Sequence, residues 1–571
     1  MKREFQKLYT EAGERLKNDP SIIPWDVYPR PHMRRNEWLN LNGEWDISGE
    51  NGGLCGKIRI PFCPESLLSG VEGGFGYGEK LVYSRSFTVP AEWRDRRILL
   101  NFGAVSRTCS VRVNGRIACD GAGGYFPFSV DITDLVRDGG NLLEVVCVND
   151  LDPIFPYGKQ KIKRGGMWYT PCSGIWQTVW LEPVPAEHVR EIRCVFDDKS
   201  VTITAEGAQT GTVLLEGREY RLENGKCRIE PENPRLWSPE DPYLYDFALI
   251  SGDDTVSGYF ALRTITTETA DGAPRLALNG KPYFFNGLLD QGYFSDGLWT
   301  PAEPEEFERD ILKMKSLGFN MLRKHIKIEP ELFYYYCDKL GMAVFQDMVN
   351  NGEYRFFRDT ILPTVGVKRV DDTRLNRDEA ARNEFIGHML RTADALASHP
   401  AIVYWTVFNE GWGQFEADRA YDILKERDPS RPIDSTSGWF HQKKTDVDSL
   451  HIYFKKLRCG RRRELPLVIS EFGGYVWKDD AHSFNLEKTY GYRIFKSREE
   501  FVSALRELYL SELLPLVREG LSAAVYTQVS DVEDETNGLL SFDRRIEKVR
   551  PDELSSVAET IYKASKEIAS P

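Results

Sequence analysis

Hydrophobic and polar residues alternate in short runs over the first third of the chain, as half-buried β-strands require. Clear examples are residues 82–89 (VYSRSFTV), 97–102 (RILLNF) and 141–148 (NLLEVVCV). Asn114-Gly115, between two further runs, is a strong hairpin signal. The pattern continues in a shorter unit with a Pro-rich join at 231–242. It predicts two β-sandwiches, over residues 1–183 and 184–267.

From residue 268 onward, strand-like runs alternate with stretches of helical spacing, which is the pattern of a parallel sheet. The eight predicted strands are 283–289, 319–323, 342–347, 402–408, 432–437, 449–453, 467–471 and 523–528. The predicted helices are 304–317, 330–340, 377–398, 415–427 and 498–519. Eight such units predict a (β/α)8 TIM barrel over residues 268–571. A doubly wound open sheet is the alternative, but no G-x-G-x-x-G follows any of these strands.

Composition narrows the classes of function. The 571 residues carry 74 Lys and Arg against 87 Asp and Glu, a formal charge of −13, which argues against nucleic acid as a partner. No apolar run is long enough to cross a membrane. The charged N-terminal stretch has no apolar segment of a secretory signal, so we expect a cytoplasmic protein. The ten cysteines and eight histidines show no spacing that is typical of metal ligands. We therefore expect the cysteines to be free thiols, and we expect no metal site and no cofactor.

In a barrel, polar residues at the carboxyl ends of strands are the candidates for chemistry. Two carboxylates stand out: Glu410 follows IVYWTVF and precedes Gly-Trp-Gly, and Glu471 follows PLVIS and precedes Phe-Gly-Gly. Either Glu could instead begin a helix, where the dipole favours a carboxylate. The predicted strands four and seven, however, place them across the barrel mouth from each other. Two carboxylates flanking a bond are the arrangement of a glycosidase.

Motifs along nearly the whole chain resemble glycoside hydrolase family 2. They are LNLNGEWDI at 39–47, YSRSFTVP at 83–90, GYFPF at 124–128, DIT at 131–133, SGIWQTVW at 173–180, FALRTI at 260–265, LNGKP at 278–282, DILKMKSLGFNMLR at 310–323, FNEGWG at 408–413 and SEFG at 470–473. Their order and spacing make the resemblance specific. It implies an N-terminal jelly-roll β-sandwich that resembles a sugar-binding domain, an immunoglobulin-like β-sandwich and a C-terminal catalytic barrel.

The resemblance also implies roles for residues that match the family's motifs. Glu410 matches the general acid/base and Glu471 the nucleophile. Arg323 and Tyr453 match the cation and the hydroxyl donor beside the nucleophile, although Arg323 could cap a helix or pair with Asp347, and Tyr453 could only pack. Asn409 matches the residue that binds the sugar 2-hydroxyl, where a turn role is the alternative.

Further residues near strand ends are candidates for sugar contacts: Asp290, Gln291, His325, His451, Gln528 and Asp531. Among the loop aromatics, Trp412 and Trp477 are candidates for stacking on a sugar ring. The acidic run of Asp531, Glu533, Asp534 and Glu535 could bind a cation, but we expect a solvated loop surface. The loops 349–378 and 472–496 are expected to form much of the pocket wall.

Two departures bear on the sugar. The Arg-Gly-Val-Asn-like run of well-known β-galactosidases is replaced by NGLLDQG at 286–292, and the Asn-x-Lys of glucuronidases does not occur after residue 400. A β-galactosidase-like, retaining, exo-acting hydrolase is the first hypothesis. A carbohydrate-binding protein without activity, a transglycosidase and an inverting enzyme are the alternatives. A carbohydrate is the expected partner, and a homo-oligomer stays open.

Overall fold

A computed structural model describes residues 5–364, 367, 370–458 and 464–569 of the chain. The first part is a jelly-roll β-sandwich preceded by helix α1, Glu11–Asn18. Its strands are β1 Leu39–Asn40, β2 Gly43–Gly49, β3 Cys55–Ile60, β4 Leu81–Thr88, β5 Arg97–Phe102, β6 Val105–Ser106, β7 Thr108–Val113, β8 Arg116–Ala122, β9 Phe128–Asp131, β10 Gly140–Val148, β11 Gly174–Ile175 and β12 Val179–Val184. They form sheets in the orders β1-β12-β5-β9 and β3-β2-β4-β10-β7-β8, with the short pair β11-β6 beside them.

The predicted hairpin joins β7 to β8. Asn114 and Gly115 both have positive φ, 52° and 77°, which is the geometry that an Asn-Gly turn between twisted strands adopts. Alternate residues of β7 and β10, such as Val111, Val113 and Val145, are fully buried between the sheets. The alternation in the sequence therefore predicted these strands because one face of each is buried.

The second part is an immunoglobulin-like β-sandwich of seven antiparallel strands. They are β13 Glu191–Phe196, β14 Val201–Glu206, β15 Thr210–Leu215, β16 Arg218–Glu223, β17 Lys226–Ile229, β18 Tyr245–Ser251 and β19 Asp254–Phe260. Their order is β13-β14-β17-β16-β15-β18-β19, and they enclose a core that includes Ile203, Val213 and Leu249. A three-stranded sheet follows, with β20 Ile265–Ala270, β21 Ala273–Leu278 and β22 Lys281–Pro282.

The third part is the TIM barrel. Its strands are β23 Phe285–Asp290, β24 Met321–Lys324, β25 Ala343–Asp347, β26 Ile402–Asn409, β27 Ile433–Ser437, β28 Asp448–Ile452, β29 Leu467–Gly473 and β32 Leu521–Thr527; the short pair β30 Tyr475–Val476 and β31 Arg493–Ile494 lies in the loop between the last two. All eight barrel strands correspond to predicted ones. Their spatial order is β27-β26-β25-β24-β23-β32-β29-β28, and every registered pair is parallel.

The barrel closes between the strands at the two ends of this order. The Ser449 hydroxyl of β28 donates to the Asp434 carboxylate of β27 at 2.9 Å. Both side chains are buried, so this polar contact lies inside the barrel wall. Consecutive strands are thus neighbours all the way round, and their carboxyl ends meet at one mouth.

Helices cover the outside of the barrel. They are α2 Glu305–Ser316, α3 Glu331–Leu340, α4 Leu362–Thr364, α5 Glu379–Ala395, α6 Ala417–Arg427, α7 Arg498–Glu507, α8 Leu514–Arg518 and α9 Pro551–Ala569. The predicted helix 498–519 is divided by a π-helical segment, Leu508–Leu513. Pro515, two residues after its end, has no N–H to donate to the preceding turn. Helices α1, α4 and α9 are additions to the sequence prediction.

Candidate active site

Glu410 stands where strand β26 turns away from the barrel. Its φ is 53° and that of Gly411 is 72°, so the chain reverses within two residues. A non-glycine residue with positive φ costs about 1 to 3 kcal/mol, and such residues concentrate at functional sites. Helix α6 begins only at Ala417, so Glu410 does not begin a helix. The side chain reaches the cavity described below, with its Oε1 2.8 Å from Nδ1 of His451.

Glu471 lies inside strand β29 and is only 4% exposed. Nη1 of Arg323 donates to Oε1 of Glu471 at 3.1 Å, and the Tyr453 hydroxyl donates to Oε2. Burial alone would raise the pKa of Glu471, but His451 and Arg323 outweigh it, and the resulting pKa is about 2. The carboxylate is therefore ionised across the physiological pH range. It begins no helix either.

Arg323 connects the ends of several barrel strands. Besides Glu471 it donates to Asp347 Oδ1 at 3.0 Å and to Asn409 Oδ1 at 2.8 Å. The pairing with Asp347 and the contact with Glu471, given above as alternatives, thus occur together. Arg323 also donates to the carbonyl of Ser470 at 2.9 Å. The planar, buried guanidinium therefore fixes the relative positions of four partners.

His325 is held on the far side of the same network. Its Nδ1 lies 2.7 Å from Asp347 Oδ2 and the residue is 2% exposed. Burial lowers the pKa of His325 to about 4, so the ring is neutral near pH 7. His325 is absent from the lining of the cavity beside Glu410. It positions Asp347, which in turn holds Arg323.

His451 lies between the two glutamates. Its Nδ1 is 2.8 Å from Glu410 and 3.5 Å from Glu471, while Nε2 is 3.2 Å from the Ser437 hydroxyl. One carboxylate oxygen of Glu410, one of Glu471 and a ring nitrogen of His451 all lie within 4.8 Å of one another. The structure therefore brings together the two carboxylates that the sequence singled out. Tyr453 completes the group and stacks on Tyr492, with ring centroids 3.7 Å apart.

A cavity of about 810 Å³ opens above this group. Both long loops contribute to its wall, as predicted. The lining includes Met167 of the first sandwich, Tyr354 and Phe356 of the loop after β25, and Tyr490 and Tyr492 of the loop after β29. Glu410, His451 and Tyr453 also line it, whereas Glu471 lies behind them.

The position of Trp412 differs from the prediction that it stacks on a sugar. It is 2% exposed, its ring packs against Trp168 and Tyr157 at 5.1 and 5.5 Å, and its Nε1 donates to the carbonyl of Gly352. The ring fills the contact between barrel and first sandwich. Gly411, which follows Glu410, turns the chain inward. The local sequence, which is typical of a loop, gave no indication that Trp412 would be buried.

We therefore expect Trp412→Ala to act on stability. Emptying this packed position should lower the free energy of unfolding by about 3 to 5 kcal/mol, visible as a lower melting temperature by circular dichroism. Trp439→Ala is the matched control, since Trp439 lines the cavity; it should change ligand binding more than melting. An unchanged melting temperature for Trp412→Ala would contradict the packing role.

Four other residues that were predicted to contact the sugar have their partners away from the cavity. Trp477 packs against the barrel core and is absent from the cavity lining. The Asp290 carboxylate accepts from Lys324 Nζ at 2.7 Å. Gln291 donates to Gln528 Oε1 at 2.8 Å, and Gln528 donates to Asn537, all three being buried. None of these four candidates lines this cavity.

The acidic run after β32 is not the solvated surface that we expected. Asp531, Glu533, Asp534 and Glu535 are each at most 5% exposed. Asp531 pairs with Lys548 at 2.6 Å, and Glu533 pairs with Arg164 at 3.1 Å. The Tyr169 hydroxyl donates to Glu535 at 2.5 Å. Arg164 and Tyr169 belong to the first sandwich, so the packing of that domain on the barrel buries this loop. The local sequence of the loop carries no information about a contact with another domain.

Several residues around the two glutamates were not among the predicted site residues. Ser437 ends β27 and could have been found by the rule that polar residues at the carboxyl ends of barrel strands are candidates for chemistry. Nothing in the sequence pointed to Lys159 as a site residue, because its segment belongs to the first sandwich and not to the barrel. The structure brings that segment to the barrel, where the Tyr157 N–H donates to the carbonyl of Asn350 at 3.1 Å. The charge of Lys159 also contributes to the low pKa of Glu471.

Potential metal ligands converge at two places in the described ranges. One is Glu410, His451 and Glu471, and the other is His32, Glu331 and His399. Each set contains a hydrogen-bonding contact between its own side chains: His451 Nδ1 lies 2.8 Å from Glu410 in the first, and His32 Nδ1 lies 3.2 Å from Glu331 in the second. His399 Nδ1 lies 2.6 Å from Asp338, which is outside the set. The nine cysteines in the described ranges are free thiols, and Cys459 lies outside those ranges. Among the described helices, none is both long and apolar enough to cross a membrane.

Three domain models of one family match this architecture in order. The sugar-binding domain of glycosyl hydrolases family 2 matches residues 76–185, the central domain matches 192–263, and the TIM barrel domain matches 272–461. The chain therefore belongs to glycosyl hydrolase family 2.

Individual relatives are more distant. A β-galactosidase of Aeromonas hydrophila is 28% identical over 476 residues, which cover 75% of this chain and 43% of the relative. The chain thus spans less than half the length of that relative. Among solved structures, a β-D-glucuronidase of Dictyoglomus thermophilum has a TM-score of 0.71 at 17% identity, covering 94% of this chain and 98% of its own. A β-galacturonidase of Eisenbergiella tayi, bound to galacturonate, has a TM-score of 0.66 at 20% identity over 94% and 99% of the two chains.

Proposed function

We propose that the protein is an exo-acting, retaining β-glycosidase in which Glu471 is the nucleophile and Glu410 the general acid/base. The observation that carries the proposal is the approach of the two carboxylates, since one oxygen of Glu410 lies within 4.8 Å of one oxygen of Glu471. Retaining glycosidases hold their carboxyl groups about 5 to 5.5 Å apart, while inverting enzymes need about 6.5 to 9.5 Å to admit water. The spacing supports retention.

The surroundings of the two carboxylates support different roles. Arg323 and Tyr453 stabilise Glu471 as an anion, which is the form that attacks. Glu410 borders the cavity, where it can exchange protons with a leaving group and with water. His451 contacts both carboxylates, and both carboxylates take part in the proposed reaction.

The reaction proceeds in two displacements. An oxygen of Glu471 attacks the anomeric carbon, the bond to the leaving oxygen breaks, and Glu410 gives its proton to that oxygen. Water then attacks the same carbon, Glu410 accepts the water proton, and the ester bond to Glu471 breaks. Two inversions give net retention, and no cofactor enters either step. Asn409, held by Arg323, is proposed to contact the sugar 2-hydroxyl.

Exo action is proposed because four chain segments surround Glu410. Met167, Tyr354, Phe454 and Tyr490 come from the first sandwich and from three different barrel loops, and all line the cavity. A cavity with walls on several sides favours binding of a terminal sugar over binding of a sugar within a polysaccharide. The proposed partner is therefore a carbohydrate with a terminal β-linked residue.

A β-galactoside is the first candidate substrate, in line with the name of the Aeromonas relative. A β-linked uronide is the second, favoured by Lys159. That side chain makes no ion pair within the ranges that the structure describes, and its charge reaches Glu471 and Glu535. A substrate carboxylate would give it a partner.

The test is a panel of 4-nitrophenyl β-glycosides: galactopyranoside, galactofuranoside, glucuronide and galacturonide. We expect turnover of at least one, with the β-anomer as the first sugar product in a proton NMR time course. The α-anomer as first product would contradict retention. Binding of these sugars without turnover would favour a carbohydrate-binding protein, and transfer to an added alcohol in place of water would favour a transglycosidase.

A further inference from the structure

We propose that the cavity beside Glu410 is a leaving-group site for aromatic aglycones that carry an anionic group. This inference rests on the proposed glycosidase activity and specifies the substrate class of the same site. It follows from three properties of the cavity: its position relative to the two glutamates, the charges that line it and the aromatic side chains beside those charges.

The position identifies which part of a glycoside the cavity receives. A general acid protonates the leaving oxygen, so the leaving group must lie on the side of Glu410. Glu410 lines the cavity, whereas Glu471 is 4% exposed and lies behind His451 and Tyr453. A sugar that reaches Glu471 therefore occupies the floor, and its aglycone extends along the cavity wall.

The charges on this wall are positive. Lys455, Lys456 and Arg458 follow strand β28, line the cavity and are exposed. None of the three side chains has an ion-pair or hydrogen-bond partner in the part of the chain that the structure describes. Among the described lining residues, Glu410 is the only carboxylate. Three cations that face one cavity without a partner among the described residues contrast with a chain whose formal charge is −13.

Some exposed cations elsewhere in the same domain, in contrast, have partners. Lys444 pairs with Asp422 at 2.6 Å and Arg419 with Glu416 at 2.9 Å. The unpaired set at the cavity therefore leaves a positive potential that an incoming anion can neutralise. Concave surfaces strengthen such a potential because they exclude part of the solvent.

Aromatic side chains lie beside these cations. Phe454, directly before Lys455, is 79% exposed, and its ring lies 5.1 Å from that of Tyr492. Phe356 of the loop after β25 is 63% exposed and also lines the cavity, together with Trp439. Exposed large apolar side chains grouped around a cavity mark a binding surface. An aromatic ring with an anionic substituent complements both properties, whereas a neutral oligosaccharide would leave the cations unpaired.

The test compares two substrates with the sugar that the panel identifies. One carries a 3-(carboxymethyl)phenyl aglycone and the other the neutral 3-(carbamoylmethyl)phenyl aglycone. The methylene group keeps the acidities of the two phenols similar, so the chemical leaving ability is matched. Both substrates form the same glycosyl-enzyme, so the preference is expected in kcat/KM, which covers the step in which the aglycone leaves.

We expect the wild type to favour the carboxylate about three- to tenfold in kcat/KM, as a few partly exposed charge pairs would give. The preference should shrink at high salt. A Lys455→Gln, Lys456→Gln, Arg458→Gln triple variant should lose it while still cleaving the neutral substrate. The matched control is Lys199→Gln, Arg221→Gln, Lys226→Gln, which removes the same charge from exposed positions of the central sandwich.

Other outcomes separate this inference from the proposed function. Equal kcat/KM for both substrates, or an equal loss in the control variant, would overturn the leaving-group site and leave the glycosidase intact. A preference for a sulfated over an unsulfated oligosaccharide, with none between the aryl substrates, would replace the aromatic aglycone by an acidic glycan. Cleavage of neither substrate would overturn both proposals.

Discussion

Replacing Glu471 with Gln is expected to lower kcat by about 10⁴-fold or more, because the variant has no nucleophile and the remaining residues act only as a unit with it. The amide keeps the size of the side chain and can still face Arg323 and Tyr453. Folding should therefore be retained. The measurement is the initial rate with the best aryl glycoside, alongside circular dichroism to verify the fold.

Glu410→Gln should show a different pattern. Its loss should be smaller with an acidic phenol as leaving group, which needs little protonation, and larger with an alkyl leaving group. Glu416→Gln is the control, because Glu416 forms ion pairs with Arg382 and Arg419 outside the cavity.

Retention of more than about a tenth of wild-type activity by Glu471→Gln would be incompatible with its role as nucleophile.

Arg323→Gln is expected to affect both stability and catalysis. Removing the guanidinium leaves Asp347 and Glu471 buried with one cation fewer, and the loss of one partner from a buried ion pair costs about 3 to 5 kcal/mol. Denaturant unfolding should report this loss. Activity should also fall, because Asn409 and Glu471 both lose the donor that orients them.

The pH dependence separates catalysis from stability in this variant. Glu471 has a lowered pKa in the folded protein, so its contribution to stability is present above the unfolded pKa of about 4.3 and is lost as the pH falls towards about 2. Without Arg323, burial raises that pKa and the acid limb of kcat/KM should move to higher pH. Arg323→Lys keeps the charge and should move the limb less. An acid limb unchanged in both variants would contradict the proposed role of Arg323.

The sequence predicted the barrel well because several of its strands, such as β26, β29 and β32, are largely apolar runs that are buried on both faces. Strand β26, for example, is buried over its whole length and was expected within one residue of its observed end. The polar residues that follow such runs meet at the mouth, so Glu410, Glu471 and His451 could be selected from the amino-acid pattern alone. Counting strands around a closed sheet was sufficient to place the glutamates opposite each other.

The rest of the site depends on contacts between distant segments. Trp412 resembled an exposed loop residue, but Trp168 of the first sandwich covers it. Glu533 resembled part of a solvated acidic run, but Arg164 and the backbone N–H of Thr170 bury it. Lys159 could not be selected at all, since its relation to Glu471 exists only after the first sandwich packs on the barrel. Local patterns carry no information about these neighbours.

The most direct test of the central claim is the anomeric configuration of the glycosyl azide formed by Glu410→Ala and Glu471→Ala with an activated aryl β-glycoside and sodium azide. If Glu471 is the nucleophile, Glu410→Ala still forms the glycosyl-enzyme, and azide releases the β-azide from it. Glu471→Ala lacks that intermediate, so azide enters on the opposite face and gives the α-azide. The reverse assignment of products would contradict the roles given to the two glutamates.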